Sequence, residues 1–246
     1  MVKAKKDELR VGTLADIPAE GYVSSGVPEV DGVLGGGFPR GRITQIWGNP
    51  GVGKSYLLAK TMARLDGHIL YIDCEYALNK ARLKSLGVDL SKVDYVADSR
   101  LEKVAEQVLA SVQNYDLVII DTLAKLTPMT VQQNEVGTSA IGLAARQIAH
   151  FEAKLRPKIY EHRTAVIGIN QVRANFGMGP VTTQAFGGWA WGHTVDLSLK
   201  LVKGANNKVY KQVAGVKSET GHWATVKVEK SKVSTPFAET KFMVEY

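Results

Sequence analysis

One cysteine, Cys74, stands in 246 residues, so neither an internal disulfide nor a multi-cysteine zinc site can form. A small buried residue at a strand end is its expected role. Long apolar runs are missing too: none approaches the ~20 residues that span a bilayer. Met1 to Glu8 is lysine-rich and lacks the apolar segment of a secretory signal. These absences lead to the expectation of one cytoplasmic domain over residues 1–246. Apolar content of 45% is enough to fill a core. Acidic residues are in short supply, 24 against 31 Lys and Arg, and the net charge is +7. From Lys200 onward nine lysines and no arginine face only Glu219, Glu229, Glu239 and Glu245. Such a surplus suits a polyanionic partner, most simply nucleic acid.

What is present begins with Gly48-Asn49-Pro50-Gly51-Val52-Gly53-Lys54-Ser55, a full match to the phosphate-loop pattern G-x-x-x-x-G-K-[ST]. Arg42 to Trp47 before it is β-branched and aromatic and reads as a strand. Tyr56 to Leu65 after it places Leu57, Leu58, Met62 and Leu65 at helical spacing. The motif therefore sits on a strand–loop–helix turn. There, glycine lets the backbone wrap a phosphate and a helix N-terminus aims N–H groups at the anion. Lys54 is expected on the β- and γ-phosphates of ATP and the Ser55 hydroxyl on Mg²⁺.

Further strands read at His68–Asp73, near Val93–Val96 and at Leu117–Asp121, with helices at Asn79–Leu86 and Leu101–Val112 between them. Alternation of this kind predicts an α/β fold, a mostly parallel sheet flanked by helices. From about Val195 the pattern changes to alternating residues without helices, which predicts antiparallel strands extending the sheet. Ligands in such sheets bind beyond the carboxyl ends of the strands, which places Asp73, Glu75 and Asp121 beside the loop. Asp121 ends an apolar strand, as an aspartate that holds Mg²⁺ through water does. Glu75 is the candidate base for the attacking water, with a plain surface glutamate as the alternative.

The chain resembles the RecA family of DNA strand-exchange ATPases. The residues that carry the likeness are Tyr71-Ile72-Asp73-Cys74-Glu75-Tyr76-Ala77-Leu78, Val118-Ile119-Ile120-Asp121 and Leu126-Thr127-Pro128. Glu135-Val136-Gly137, Gly142-Leu143-Ala144-Ala145-Arg146 and Ile169-Asn170-Gln171-Val172-Arg173 continue it, and Val226 to Phe237 closes it. The resemblance implies a RecA-like core with ATP and Mg²⁺ as cofactors, single-stranded DNA as partner with duplex DNA as a further option, and head-to-tail homo-oligomers in a filament or ring. It makes Glu75 the activating base and Gln171 the residue that senses the γ-phosphate. It places two mobile DNA loops at about Met129–Ser139 and Val172–Ala185. Arg146 belongs to the helix after the first loop, Arg173 could neutralise a phosphate, and Ile141 and Phe176 fall where apolar side chains enter between bases. Lys230 and Lys232, taken as lying on an edge strand, would reach the γ-phosphate of a neighbouring subunit. Tyr56 follows the loop, and Arg82 replaces the ring expected on adenine. Trp189-Ala190-Trp191-Gly192-His193 is closer to archaeal and eukaryotic recombinases, with His193 as a nucleotide sensor.

Against the family's pattern, the N-terminal oligomerising elements are expected to be reduced to a short arm at residues 1–10, and the C-terminal DNA-gating domain is expected to be missing. The expected function is an ATP-dependent recombinase acting on single-stranded DNA by pairing, exchange or annealing. Two rivals remain: a mediator that binds DNA without exchange, and a clock- or signalling-type ATPase or kinase acting on protein.

Overall fold

The computed structural model describes residues 13–17, 19–133, 142–175, 182–185, 194–213 and 216–246. Tyr22–Val23 (β1) pairs with Phe38–Pro39 (β2) around a short helix, Pro28–Leu34 (α1), whose first-turn proline suits a helix start. Ile43–Gly48 (β3) is buried at all six positions and leads into Lys54–Arg64 (α2). Ile69–Asp73 (β4), Lys80–Ser85 (α3), Val93–Ala97 (β5), Leu101–Ser111 (α4) and Leu117–Asp121 (β6) follow. Next come Met129–Gln133 (α5), Leu143–His162 (α6), Ala165–Asn170 (β7) and a small hairpin, Val172–Asn175 (β8) with Thr182–Ala185 (β9). Three long strands end the chain: Leu197–Val213 (β10), Val216–Ser231 (β11) and Glu239–Glu245 (β12).

The main sheet runs β12-β11-β10-β3-β7-β6-β4-β5. From β10 to β5 neighbours are parallel, and β10, β11 and β12 are antiparallel to one another. Both expectations, a parallel core and an antiparallel extension, are met. Side-chain alternation assigns the two faces. Ile69, Tyr71, Leu117 and Ile119 join Leu57, Leu58 and Met62 of α2 in one buried cluster. Leu70, Ile72, Val118 and Ile120 join Val104 and Val108 of α4 and Phe151, Leu155 and Ile159 of α6 in the other. Strands β4 and β6 are thus apolar on both faces, which is why each reads as a continuous hydrophobic run, whereas edge strand β5 is exposed at Asp94, Tyr95 and Ala97. Truncating a fully buried member such as Leu155 to alanine would cost about 2–5 kcal/mol. Pro157 interrupts α6 on its exposed face, where water can take the carbonyl that loses its donor.

One polar ladder crosses this core. Asn170 Nδ2 donates to Gln45 Oε1 at 3.1 Å, and Gln45 Nε2 donates to Ser198 Oγ at 3.3 Å, tying β7, β3 and β10 together. A shift of one residue in any of the three strands would leave buried amides unpaired, so the ladder fixes register beside the phosphate loop. No helix among the described residues is long and apolar enough to cross a membrane.

Candidate nucleotide site

Beyond the carboxyl ends of β3, β4, β6 and β7 lies a cleft of about 450 Å³, lined by the phosphate loop, Tyr71, Asp73, Glu75, Arg82, Asp121 and Gln171. The loop's shape depends on glycine. Gly53 has φ +103°, and a Cβ there would meet Val244 Cγ2 at 2.5 Å. A Cβ on Gly48 would meet the Leu201 carbonyl oxygen at 2.4 Å. The cradle is therefore one that side chains would fill, and its residues fit a phosphate group. Lys54 Nζ donates to the carbonyls of Gly48 and Asn49, at 2.8 and 3.0 Å, and so lies folded over the loop. Burial lowers its pKa, against the pull of Asp121 and Glu75. Ser55, one residue into α2, lines the cleft from an exposed position.

Asp121 ends β6 directly across from Asp73 of β4. Burial pushes its carboxyl up; the Tyr71 hydroxyl, donating at 2.7 Å, opposes that rise, as does Lys54, while Glu75 and Asp73 add to it. Burial and the same carboxylate drive the Tyr71 hydroxyl far above its ordinary value, so it acts only as a donor here. A carboxylate held against burial and two like charges gains from a cation, so Asp121 and Ser55, which line the same cleft, could hold Mg²⁺.

Asp73 has a different duty. Its oxygens accept the N–H groups of Glu75 and Leu78, at 3.1 and 3.0 Å, and the Tyr95 hydroxyl at 3.1 Å. These bonds close the turn after β4, in which Tyr76 adopts a left-handed backbone with φ +56°. The turn sets Glu75 at the rim, where Gln171 Nε2 donates to its Oε1. Residues 96 apart in sequence thus meet in one hydrogen bond, and Gln171 leads directly into β8.

The far wall comes from the antiparallel strands. Arg82 Nη2 donates to the Glu245 carbonyl, which places its guanidinium at the end of β12. Tyr56 stacks on Phe242 with ring centroids 6.5 Å apart, and Tyr246 packs on His222 at 5.6 Å. The Tyr246 hydroxyl lies 3.0 Å from His222 Nδ1. Burial, then Lys203, lowers the His222 pKa. Tyr71, His222, Glu245 and Tyr246 were not legible as site residues: three lie on or beyond the last strands, with no motif to join them to the loop. Tyr71 alone leaves a trace, a tyrosine in an otherwise aliphatic strand two residues before its acidic end.

The remaining expected residues divide. Arg146 is exposed in the first turn of α6. Arg173 lies on β8 opposite Gln184 of β9, so the second expected loop has a two-stranded ladder at its base. The first begins as a short helix, α5. Ile141, Phe176 and His193 lie outside the described residues. The placement of Lys230 and Lys232 on an edge strand is corrected. Lys230 lies near the end of β11, an inner strand between β10 and β12, and Lys232 just follows it. Lys230 is opposite Ser198, and Lys232 N donates to the carbonyl of Asp196, whose own N–H bonds Ile43 O. Lys230 is therefore level with Gln45 and Lys232 with Ile43 at the start of β3, about 17 Å of strand away from Gly48.

The RecA N-terminal domain family matches residues 5–246. This chain belongs to the RecA family. It is 34% identical over 229 residues to Protein RecA of Petrotoga mobilis, covering 88% of this chain and 59% of that protein. To Protein RecA of Streptomyces venezuelae it is 30% identical over 247 residues, 97% of this chain and 63% of the relative. Protein RecA of Francisella tularensis subsp. novicida is 33% identical over 233 residues, 91% and 63%. The chain thus spans about three fifths of the length of the curated relatives it matches. The eight-stranded sheet and the phosphate cradle are this family's core as it occurs in the present chain.

Proposed function

We propose that this chain is the ATP-hydrolysing core of a recombinase that assembles head-to-tail on single-stranded DNA and promotes pairing, exchange or annealing of strands. One observation carries the reading: Gln171 bonds Glu75 beside the phosphate loop and is joined by one peptide bond to the β8–β9 hairpin. A side chain that feels the γ-phosphate at one end of this link displaces the hairpin at the other. Glu75 orients and deprotonates the attacking water, and Lys54 leaves the Gly48 and Asn49 carbonyls for the β- and γ-phosphates. Ser55 and Asp121 would hold Mg²⁺, which would supply neutralisation of phosphate charge. Arg82 with Tyr56 borders the base. The DNA path runs along Arg146, Ile141, Arg173 and Phe176, and the lysine-rich last fifth of the chain favours a polyanion.

Lys232 lies about 17 Å of strand away from its own Gly48, so in this reading it and Lys230 complete a neighbour's site. The test is ATP hydrolysis with and without single-stranded DNA. Turnover is expected to rise on DNA, and DNA affinity to fall steeply with salt as counterions are released. No response to DNA would sink the reading in favour of an ATPase acting on protein. A response without pairing of complementary strands would leave a mediator.

A further inference from the structure

At the sheet end away from the phosphate loop a second ionic cluster spans three elements. Glu152 and Arg156 lie one turn apart on α6, Asp196 precedes β10, and Lys232 follows β11. Arg156 Nη2 donates to Glu152 Oε1 at 2.7 Å and also to the Thr194 carbonyl, and its Nη1 donates to Asp196 Oδ2 at 2.9 Å. The Ile43 N–H donates to the same oxygen at 3.1 Å. The other oxygen, Oδ1, accepts Lys232 Nζ at 3.0 Å, with Arg42 Nη1 at 3.8 Å. The side chains of Glu152 and Asp196 are each 1% exposed, whereas that of Lys232 is 49% exposed.

That contrast sets the argument. A half-exposed lysine ordinarily samples many rotamers, and ordering it opposes any contact it makes. Here the ammonium is tied to a carboxylate that cannot follow it into water, because a main-chain N–H and a guanidinium hold that carboxylate from behind. The main chain is tied as well, through the Lys232 N–H and the Asp196 carbonyl at 3.0 Å. An ammonium has three donors, and Asp196 takes one on its inner side. The head is thus fixed in place with donors left toward the surface. Lys230 lies two residues before Lys232, opposite Ser198, and burial and then Lys232 press its pKa below the ordinary value.

We propose that Asp196, braced by Arg156 and Glu152, is a positioning residue that presents Lys232 to the terminal phosphate bound by a neighbouring subunit. The proposal rests on the shared-site reading above. It assigns Asp196 to the subunit that donates the lysines and not to the one that binds the nucleotide, and a merely structural ion pair would show no such polarity.

The test uses full-length chains assembled on single-stranded DNA. Asp196→Asn keeps the shape and an acceptor for Ile43 but removes the charge. Alone it should lose at least tenfold in kcat, with nucleotide KM changed less than twofold. Mixed with Lys54→Ala it should recover, because its intact phosphate loop then meets an intact, correctly held Lys232. Mixed with Lys230→Ala/Lys232→Ala it should not, because no interface then joins an intact loop to a held lysine. Wild-type or raised turnover in Asp196→Asn, or a defect that Lys54→Ala does not repair, overturns the proposal. The control mixture is Lys54→Ala with the double lysine variant. Recovery there supports the shared site independently, and no recovery overturns that reading and this proposal with it. Should Asp196→Asn fail to fold, Arg156→Gln enters the same mixtures, with a smaller loss and the same polarity expected.

Discussion

Two aspartates at opposite ends of the parallel strands, Asp196 buried and Asp121 half-buried, carry opposite shifts. For both, burial is the largest influence and pushes the carboxyl up. At Asp196 the Ile43 N–H, Lys232 and Arg156 together outweigh burial and hold it below the ordinary carboxylate value. At Asp121 the Tyr71 hydroxyl and Lys54 do not, because Glu75 and Asp73 add like charge, and the carboxyl stays raised. The fold therefore completes the ionic shell of Asp196 from its own chain and leaves that of Asp121 electrically short of a cation. The first pattern belongs to a support, the second to a site that gains when it binds one.

The harshest way to break that comparison is at the phosphate loop. Lys54→Ala removes a cation that acts on Asp121 and Glu75 and the charge expected on the phosphates. ATP turnover should fall at least a hundredfold, that is by about 3 kcal/mol or more of transition-state stabilisation. Glu75→Gln should lose hydrolysis to a similar degree yet keep nucleotide binding, measured as retained thermal stabilisation by ATP. A Glu75→Gln chain that turns over at the wild-type rate would take Glu75 out of the chemistry.

The next prediction uses the two aspartates as a matched pair. Asp196→Asn should destabilise the protein by about 1–3 kcal/mol at neutral pH, since hydrogen bonds to a charged group are lost. The folded value of Asp196 lies below its unfolded one. Its contribution is thus present above the ordinary carboxylate range and is lost as pH falls through the lowered value. The gap between variant and wild type should therefore close in acid. For Asp121 the sign reverses: its raised value favours the folded state at low pH, and that advantage is lost as pH rises through it. Without Mg²⁺ or nucleotide at neutral pH, Asp121→Asn should melt about 2–4 °C above wild type, the effect of about 1 kcal/mol in a chain of this size. With Mg²⁺ and ATP the order should invert, because only the wild type gains from the metal. If both substitutions shift melting in the same direction without ligand, the contrast between the two ends is wrong.

How much of this was legible in the sequence follows from the reach of each signal. Gly48 to Ser55 carries its own context, a strand before and a helix after, so loop, lysine and hydroxyl could be placed from eight contiguous residues. Asp121 and Glu75 followed from strand ends. The family resemblance gave Glu75 and Gln171 separate roles, but their contact across the ends of β4 and β7 was not foreseen, since no local pattern relates residues 96 apart. Asp196 left no signal, since a single aspartate before a strand is what any turn contains. Its partners come from residues 156 and 232, which no local pattern relates. The inner position of β11 was missed for a related reason. Alternation identifies a strand but not its neighbours, and the lysines at its end have the composition of an edge. Tyr71 looked like one more large residue of a buried strand.

Tyr71 supplies the finest test. Its hydroxyl is one of two groups that hold the Asp121 carboxyl down, and Tyr71→Phe removes it while keeping the ring in the core. Without that donor the Asp121 pKa rises further, so a larger share of the site is protonated at mildly acidic pH and unable to hold Mg²⁺. The acidic limb of the ATPase pH profile should therefore move to higher pH by less than about one unit, equivalent to about 1 kcal/mol. Well above the limb, where Asp121 is ionised in both proteins, turnover at saturating Mg²⁺ should stay within about threefold of wild type, since one neutral donor is worth about 1 kcal/mol. The Mg²⁺ concentration for half-maximal rate should show the same pH dependence. An unmoved acidic limb in Tyr71→Phe, with the fold intact by its melting curve, would mean that another group governs the limb and that the Tyr71 hydroxyl serves packing alone.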